Sequence, residues 1–475
     1  MTALWPSLLT QAWTALDPDA IPAEASGLPA GLEALWVSGA PGRLPSRLPV
    51  EDTAIACTGA ALLAAAVLSA QRRDDVRSPA ARLDRGHLAA AFRSEAYLQV
   101  NGEPIGPAFA PLSRFWRTTD GWVRTHGNYP WHRSALLSAL GCAEDPASVA
   151  AALAALSARE AEEIVVGAGG IAAAVRSPAG WQAEPAGQAV AAARLVEGSS
   201  VPGAPPRERP AGGQPAAGVR VLDLTRVIAG PVATRYLAAL GADVLRLDPP
   251  DRPELPLHSL DGLPGKRSAL LDFATPDGLA RLHELLSGAD VLVHGYRPHA
   301  LARFGLTPNG LAERHRGLVV ISLSAWGSRG PWGDRRGFDS IVQAASGIAM
   351  AESGDGEQPG ALPCQLLDHG TGYLCAAAAL RGLARQSVHG GTVFRELSLA
   401  RTAHWLLGQA GAAGRDPDVP AGPGADSPPP WLTTLESAAG PVTTVQPPGQ
   451  IGDVGLSWPH QLHQYGADQA AWAAG

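Results

Sequence analysis

Cysteine is sparse in this 475-residue sequence, and Cys57, Cys142, Cys364 and Cys375 lie far apart with no Cys-x-x-Cys pair. That pattern argues against a disulfide framework or a zinc knuckle and fits reduced thiols in a cytoplasm. The 13 histidines are scattered, without His-Glu-x-x-His or clustered ligand spacing, so metal catalysis has little support. Lysine is scarce, no Lys/Arg-rich run occurs, and the net charge is −7. These features oppose nucleic acid as a partner, because a phosphate backbone demands a basic face. The opening MTALWPSLLTQAW has no basic segment ahead of an apolar core and cleavage site, so no signal peptide is expected. The longest apolar stretch, residues 55–70, is Ala-rich and too short to span a bilayer comfortably, which predicts a buried helix and no membrane partner. Gly-x-Ser-x-Gly and the phosphate-binding Gly-Lys-Ser/Thr loop are also missing, so no obvious hydrolase or P-loop enzyme is written here. Residues 167–172 (GAGGIA) imitate a dinucleotide loop, but they follow an Ala/Glu helix rather than a strand and read as a helix terminus.

What is present is alternation. VRVLDL (219–224), DVLRLD (243–248), SALLDF (268–273), VLVHGY (291–296) and LVVISLSAWG (318–327) are short apolar strands separated by helical stretches. Thr275-Pro276 and Thr307-Pro308 each set a capping hydroxyl before a proline at the first helical position. This alternation predicts an α/β fold with a Rossmann-like, doubly wound, mostly parallel sheet that takes ligands at the strands' carboxyl ends. The first 196 residues are more helical, and a hairpin turning at Asp120-Gly121 points to a smaller α+β domain there. Pro/Gly-rich stretches at 197–217 and 411–430 read as linkers. They divide the chain into 1–196, a nucleotide-type block at 218–410 and a tail at 431–475 that returns to the fold.

Two stretches resemble each other. LPVEDTAIACTGAALLAAAVLSAQRR begins at Leu48 and LPCQLLDHGTGYLCAAAALRGLARQ at Leu362, and each is followed by a second helix at similar spacing. They predict an internal duplication. Superposing their Thr-Gly pairs sets Asp368 opposite Ile55 and leaves Asp52 three positions out of register, so one copy alone carries a carboxylate in that slot. Asp368 stands at the start of an apolar helix, where spacing alone favours a capping role, and catalysis is compatible with it. RVIAGPVA (226–233) follows the first strand, where a doubly wound sheet binds phosphate-bearing ligands.

From Gly218 to Leu383, through GVRVLDLTRVIAGPVATRYLAALGADVLRLDPP, GKRSALLDFATPDGLARLHELLSGADVLVHGY, GFDSIVQAASGIAM and LLDHGTGYLCAAAALRGL, the sequence resembles the class III (CaiB/BaiF) CoA-transferases, the group of the formyl-CoA and carnitine CoA-transferases. FWRTTDGWVRTHGNYPWHRSALLSALG is similar to the start of that family's smaller domain. The resemblance implies that Asp368 is a nucleophile. It implies CoA contacts at Val227, Ile228, Ala229, Leu271, Asp272, Phe273, Gly295, Tyr296 and Arg303. Acyl-CoA and a carboxylic acid would be the substrates, with no permanently bound cofactor, no metal, and a homodimeric assembly. Relatives set basic residues against the CoA phosphates at positions that are Pro249, Ala274 and Ser324 here, with Arg246, Arg252 and Arg297 as nearby substitutes. The implied reaction moves CoA through an aspartyl anhydride and an aspartyl-CoA thioester, with the backbone N–H groups of Gly370 and Thr371 near the oxyanion. Racemases of the same fold use a His–Asp pair, but Phe338 takes the histidine's place, and a phenyl ring cannot carry a proton. A catalytically silent CoA-binding subunit is the remaining alternative. The two copies are expected to have complementary losses, the first keeping the small domain and the second the sheet and nucleophile.

Overall fold

The computed structural model describes residues 3–19, 34–75, 77–209, 212–410 and 429–473. Most of the 411–430 linker reading falls outside the described residues. The central sheet is built from β1 (Glu197–Val201), β2 (Arg220–Leu224), β3 (Asp243–Asp248), β4 (Lys266–Leu270), β5 (Val291–His294), β6 (Val319–Ser324) and β7 (Thr392–Ser398). Their order is β4-β3-β2-β5-β6-β7-β1, all parallel except β1, which runs antiparallel along β7.

Strand composition explains this arrangement. Val221, Val244, Val293 and Ile321 face one core with the helices Ala229–Ala239 and Leu366–His389, whereas Leu222, Leu245, Leu292 and Val320 face a second core under helix Pro276–Ser287. Both faces are covered, so the inner strands are apolar on successive residues rather than alternately. Thr275 and Thr307 cap their helices by accepting from Gly278 N–H and Gly310 N–H, as their Thr-Pro signatures predict.

Several boundaries differ from the sequence reading, and two strands end early, at His294 and Ser324. The third strand spans Lys266–Leu270, so Leu271, Asp272 and Phe273 lie beyond its carboxyl end. Helix Ala229–Ala239 begins inside RVIAGPVA, which shortens the loop after β2. The stretch read as a linker from residue 197 opens with β1, a polar edge strand held by pairing with β7.

In the first half, Phe115–Arg117, Trp122–Thr125 and Ala172–Ala174 form a small antiparallel sheet. Its hairpin turns at Asp120-Gly121, with Thr118 N–H donating to Gly121 O at 3.0 Å. Helix Val50–Gln71 has the length and apolarity to cross a membrane, yet 94% of its apolar window is buried inside the protein.

That helix packs against helix Leu366–His389, with Gly370 set against Cys57. Both are entered by the same inverse γ-turn: Pro49 has φ −75° and ψ 59°, and Gln365 has φ −76° and ψ 63°. Val50 N–H reaches Leu48 O at 2.7 Å, and Leu366 N–H reaches Cys364 O at 2.8 Å. After the first helix, strand Ala81–Asp84 pairs parallel with Leu35–Ser38; after the second, β7 pairs parallel with β6. Each of these strands then enters a helix, capped by Asp84 in one case and Ser398 in the other. Aligned on the shared turn, Asp368 and Asp52 are each the third residue of their helix, which corrects the Ile55 register. The Thr-Gly pairs misalign by three residues, close to one helical turn, so the same face of small residues recurs in either register.

Helix Leu366–His389 crosses helix Ala229–Ala239 at Gly372, where an added Cβ would lie 2.5 Å from Ala229 O and 2.9 Å from Val232 Cβ. Gly372→Ala is expected to cost about 1–3 kcal/mol in urea unfolding. Gly354→Ala, where a Cβ meets nothing within 4 Å, serves as the control and should leave stability unchanged.

Candidate active site

Asp368 is 6% exposed and sits inside the first turn of its helix rather than at the cap. The capping is done by Asp339, the first residue of helix Asp339–Ser346. Its carboxylate accepts from Asp368 N–H at 3.0 Å and from Leu367 N–H, taking up donors that a helix start leaves open. Gln343 donates to Asp339 at 2.5 Å and accepts from Leu362 N–H at 3.0 Å, so one side chain ties the cap to the Leu-Pro entry. Gly370 and Thr371 lie deeper in the helix, where backbone N–H groups serve carbonyls four residues back. They are not oxyanion donors as expected from the sequence.

Burial pushes the Asp339 carboxyl up to about 6, against the hydrogen bonds from Gln343, Asp368 and Leu367. Burial, then the charges of Asp339 and Glu95, push Asp368 well above the ordinary carboxylate range. Two acids this close titrate as a pair. Among the described residues, no protein group donates a hydrogen bond to the Asp368 carboxylate. Asp52, in the matching helix position, is occupied: it accepts Trp5 N–H at 3.1 Å and Leu4 N–H, at the start of helix Trp5–Ala15.

Asp368 borders two cavities. The larger, 210 Å³, lies at the carboxyl ends of β2, β5 and β6 and is lined by Val227, Ala229, Gly295, Tyr296 and Ser324. A smaller one of 40 Å³ shares Val227, Phe338 and Asp368 with it and adds Ile228, Glu95 and His126. Five of the residues singled out by sequence therefore meet at Asp368. Val227 has φ +70°, a conformation that strains a β-branched residue. Its N–H is held at 2.9 Å by the Glu254 carboxylate. Burial alone would raise that carboxyl, but Arg246 and Arg226 hold it at about 2.

Leu271, Asp272, Phe273 and Arg303 do not line either cavity. They gather in a second cluster at the sheet's carboxyl edge, where Phe273 meets Phe304 edge-on with ring centroids 6.0 Å apart and Arg303 lies over Phe304. Arg246 is fully buried between Asp248 (2.6 Å) and Glu254 (3.1 Å), so it is not a free cation for phosphate. Arg252 and Arg297 do approach a third guanidinium, Arg336, which burial and then its two neighbours hold below its ordinary value.

Several residues here escaped the sequence reading. Arg336 precedes the Gly337-Phe338-Asp339 motif without a motif of its own, and nothing in that motif marks Asp339 as the cap of the Asp368 helix. Glu95, from helix Ser94–Tyr97, lies 3.2 Å from buried His369 Nε2 and is pulled down by it against the effect of burial. His126 stacks on Phe338 with ring centroids 3.9 Å apart, so an imidazole stands beside the phenyl ring.

The sign of the pH dependence follows from the raised carboxyl. An aspartate whose folded pKa exceeds its unfolded value supports folding below the latter and loses that contribution as pH rises through the former. Asp368→Asn carries no such charge. It is expected to gain roughly 1–3 kcal/mol over wild type at pH 8, a gain that shrinks toward zero only as pH falls below the ordinary aspartate value, by about pH 3, in urea unfolding. A variant no more stable than wild type at pH 8 contradicts this electrostatic reading.

Residues 216–430 match the family model for CoA-transferase family III. The chain is 32% identical over 198 residues to the probable fatty acyl-CoA transferase Rv3272 of Mycobacterium tuberculosis, covering 39% of this chain and 50% of that protein. It is 30% identical over 220 residues to human succinyl-CoA:glutarate CoA-transferase, covering 41% and 50%. The chain thus spans about half the length of these curated relatives. A crystal structure of the Mycobacterium tuberculosis protein is 30% identical, covers 42% of this chain and 58% of that one, and gives a TM-score of 0.39. Over residues 216–430, the chain carries a CoA-transferase family III region.

Proposed function

We propose that the protein transfers CoA from an acyl-CoA donor to a carboxylic acid, with Asp368 as the nucleophile. One observation carries the reading: a buried carboxylate with no hydrogen-bond donor among the described residues stands where two cavities meet at the carboxyl edge of a parallel sheet. Relatives named for CoA transfer between succinate and glutarate, and between succinyl-CoA and L-malate, agree with that chemistry.

In the first step an ionised Asp368 oxygen attacks the thioester carbonyl. The C–S bond breaks, CoA leaves as a thiolate, and a mixed anhydride forms. The thiolate attacks the aspartyl carbonyl, releasing the donor acid and leaving an aspartyl-CoA thioester. The acceptor carboxylate attacks that thioester, giving a new anhydride and CoA thiolate. Attack of the thiolate on the acceptor's carbonyl yields the product thioester and restores Asp368. Burial around Asp368 keeps water from hydrolysing these intermediates, and the absence of donors keeps the carboxylate reactive.

The pantetheine arm of CoA fits the 210 Å³ cavity beside Val227, Ala229, Gly295 and Tyr296. Its phosphates fit the Arg252, Arg297 and Arg336 cluster, and its adenine fits the Phe273 and Phe304 corner with Arg303. The first half of the chain supplies Glu95 and His126 to the site in cis. The homodimer implied by the family resemblance remains part of this proposal.

Asp368→Ala is expected to abolish transfer, and hydroxylamine to inactivate wild type only in the presence of acyl-CoA; a fully active Asp368→Ala protein overturns the mechanism. The kcat/KM of wild type is expected to fall as pH is lowered from neutrality into the acid range, because Asp368 must be ionised and its carboxyl is held well above the ordinary carboxylate range. Arg252→Ala with Arg336→Ala should raise the KM for acyl-CoA about tenfold, about 1.4 kcal/mol, with kcat little changed. An unchanged KM removes these arginines from the phosphate site.

A further inference from the structure

We propose that the 40 Å³ cavity is an acyl subsite, in which His126, His258 and Ser340 select short acids bearing a neutral hydroxyl or carbonyl group near the reacting carboxyl. The inference rests on the transferase reading and names its substrate class.

The hydrogen-bonding groups of the cavity wall divide into spent and unspent. Asn128 is spent: its Oδ1 accepts from Ala110 N–H and Ser113 Oγ, and its Nδ2 donates to Ala108 O. Glu95 is engaged with His369, and Asp339 caps the nucleophile's helix. His126, His258 and Ser340 line the same cavity, are 6%, 6% and 9% exposed, and each holds a buried polar atom with no partner among the described residues. Those atoms are His126 Nδ1, His258 Nδ1 and Ser340 Oγ. Three residues with orphaned groups on the wall of one cavity beside Asp368 leave a hydrogen-bonding demand that an alkyl chain cannot meet.

Charge narrows the occupant further. Glu95, Asp339 and Asp368 share the wall, so a second carboxylate on the substrate would meet like charges in a poorly solvated space. Burial, then Arg124, His132 and His258, hold the His126 imidazole neutral, so it offers a hydrogen bond rather than a compensating charge. A neutral oxygen satisfies both conditions. Position places it close to the carboxyl carbon, because Asp368 itself forms part of the cavity wall.

Four-carbon acids of matched length test the inference, with acetyl-CoA as donor and initial rates as the readout. The kcat/KM for 3-hydroxybutyrate or acetoacetate is expected to exceed those for butyrate and succinate by at least tenfold. In His126→Ala and Ser340→Ala the ratio of 3-hydroxybutyrate to butyrate, taken within each variant, should collapse toward one; a ratio is insensitive to partial loss of folded protein. Equal use of butyrate, or preference for succinate, overturns this inference and leaves the transferase reading standing. A wild-type preference that both variants retain also overturns it. Transfer to none of the acids overturns the transferase reading and this inference together.

Discussion

The carboxylate of Asp339 closes the first turn of helix Leu366–His389, and the placement of Asp368 depends on that contact. A helix start needs acceptors for its open N–H groups, and Asp339 supplies one from a neighbouring helix while Gln343 holds it in place. Asp368 is thereby released from capping. It is also left beside a second carboxyl in a buried space, which makes its ionised form costly and its carboxylate poorly solvated. The same helix is wedged at Gly372 onto helix Ala229–Ala239, whose start fixes the loop bearing Val227. Glu254 clamps that loop in its left-handed conformation. Asp368 and the loop are therefore positioned by one chain of contacts.

The two Ala-rich helices show how one local plan reaches two ends. Both begin with the same γ-turn and carry an aspartate at the third helical position. Asp52 is satisfied by the backbone N–H groups at the start of helix Trp5–Ala15, and an aspartate so engaged is a structural cap. Asp368 faces cavities instead. The residue type is shared, and the neighbours decide the chemistry.

Much of the fold was legible because its signals are local. Continuous apolar runs marked five of the six parallel strands, and Thr-Pro pairs marked two helix starts. Strand Glu197–Val201 was not legible, since EGSSV has no apolar pattern and is held by its backbone pairing with β7. TVFRELS in β7 carries charges that obscure a strand. The register of the repeat misled because small residues recur one turn apart. At the site, Asp368 and the Val227–Ala229 loop were found through the family resemblance, with the βα position of the loop in support. Glu95 and His126 come from a distant part of the chain, Glu95 without a motif and His126 inside the stretch likened to the family's smaller domain, and folding brings them to the site. Arg246 looked available as a cation because sequence cannot reveal that Asp248 and Glu254 enclose it.

The central claim is that one carboxylate per chain, that of Asp368, carries the acyl group and then CoA. Borohydride trapping during turnover tests it most directly, because reduction of an aspartyl thioester or anhydride converts that aspartate to homoserine. Mass spectrometric peptide mapping of the reduced protein is predicted to find homoserine at position 368, at most once per chain, with Asp52 unmodified. Homoserine elsewhere, or none at position 368 while transfer proceeds, would contradict the account.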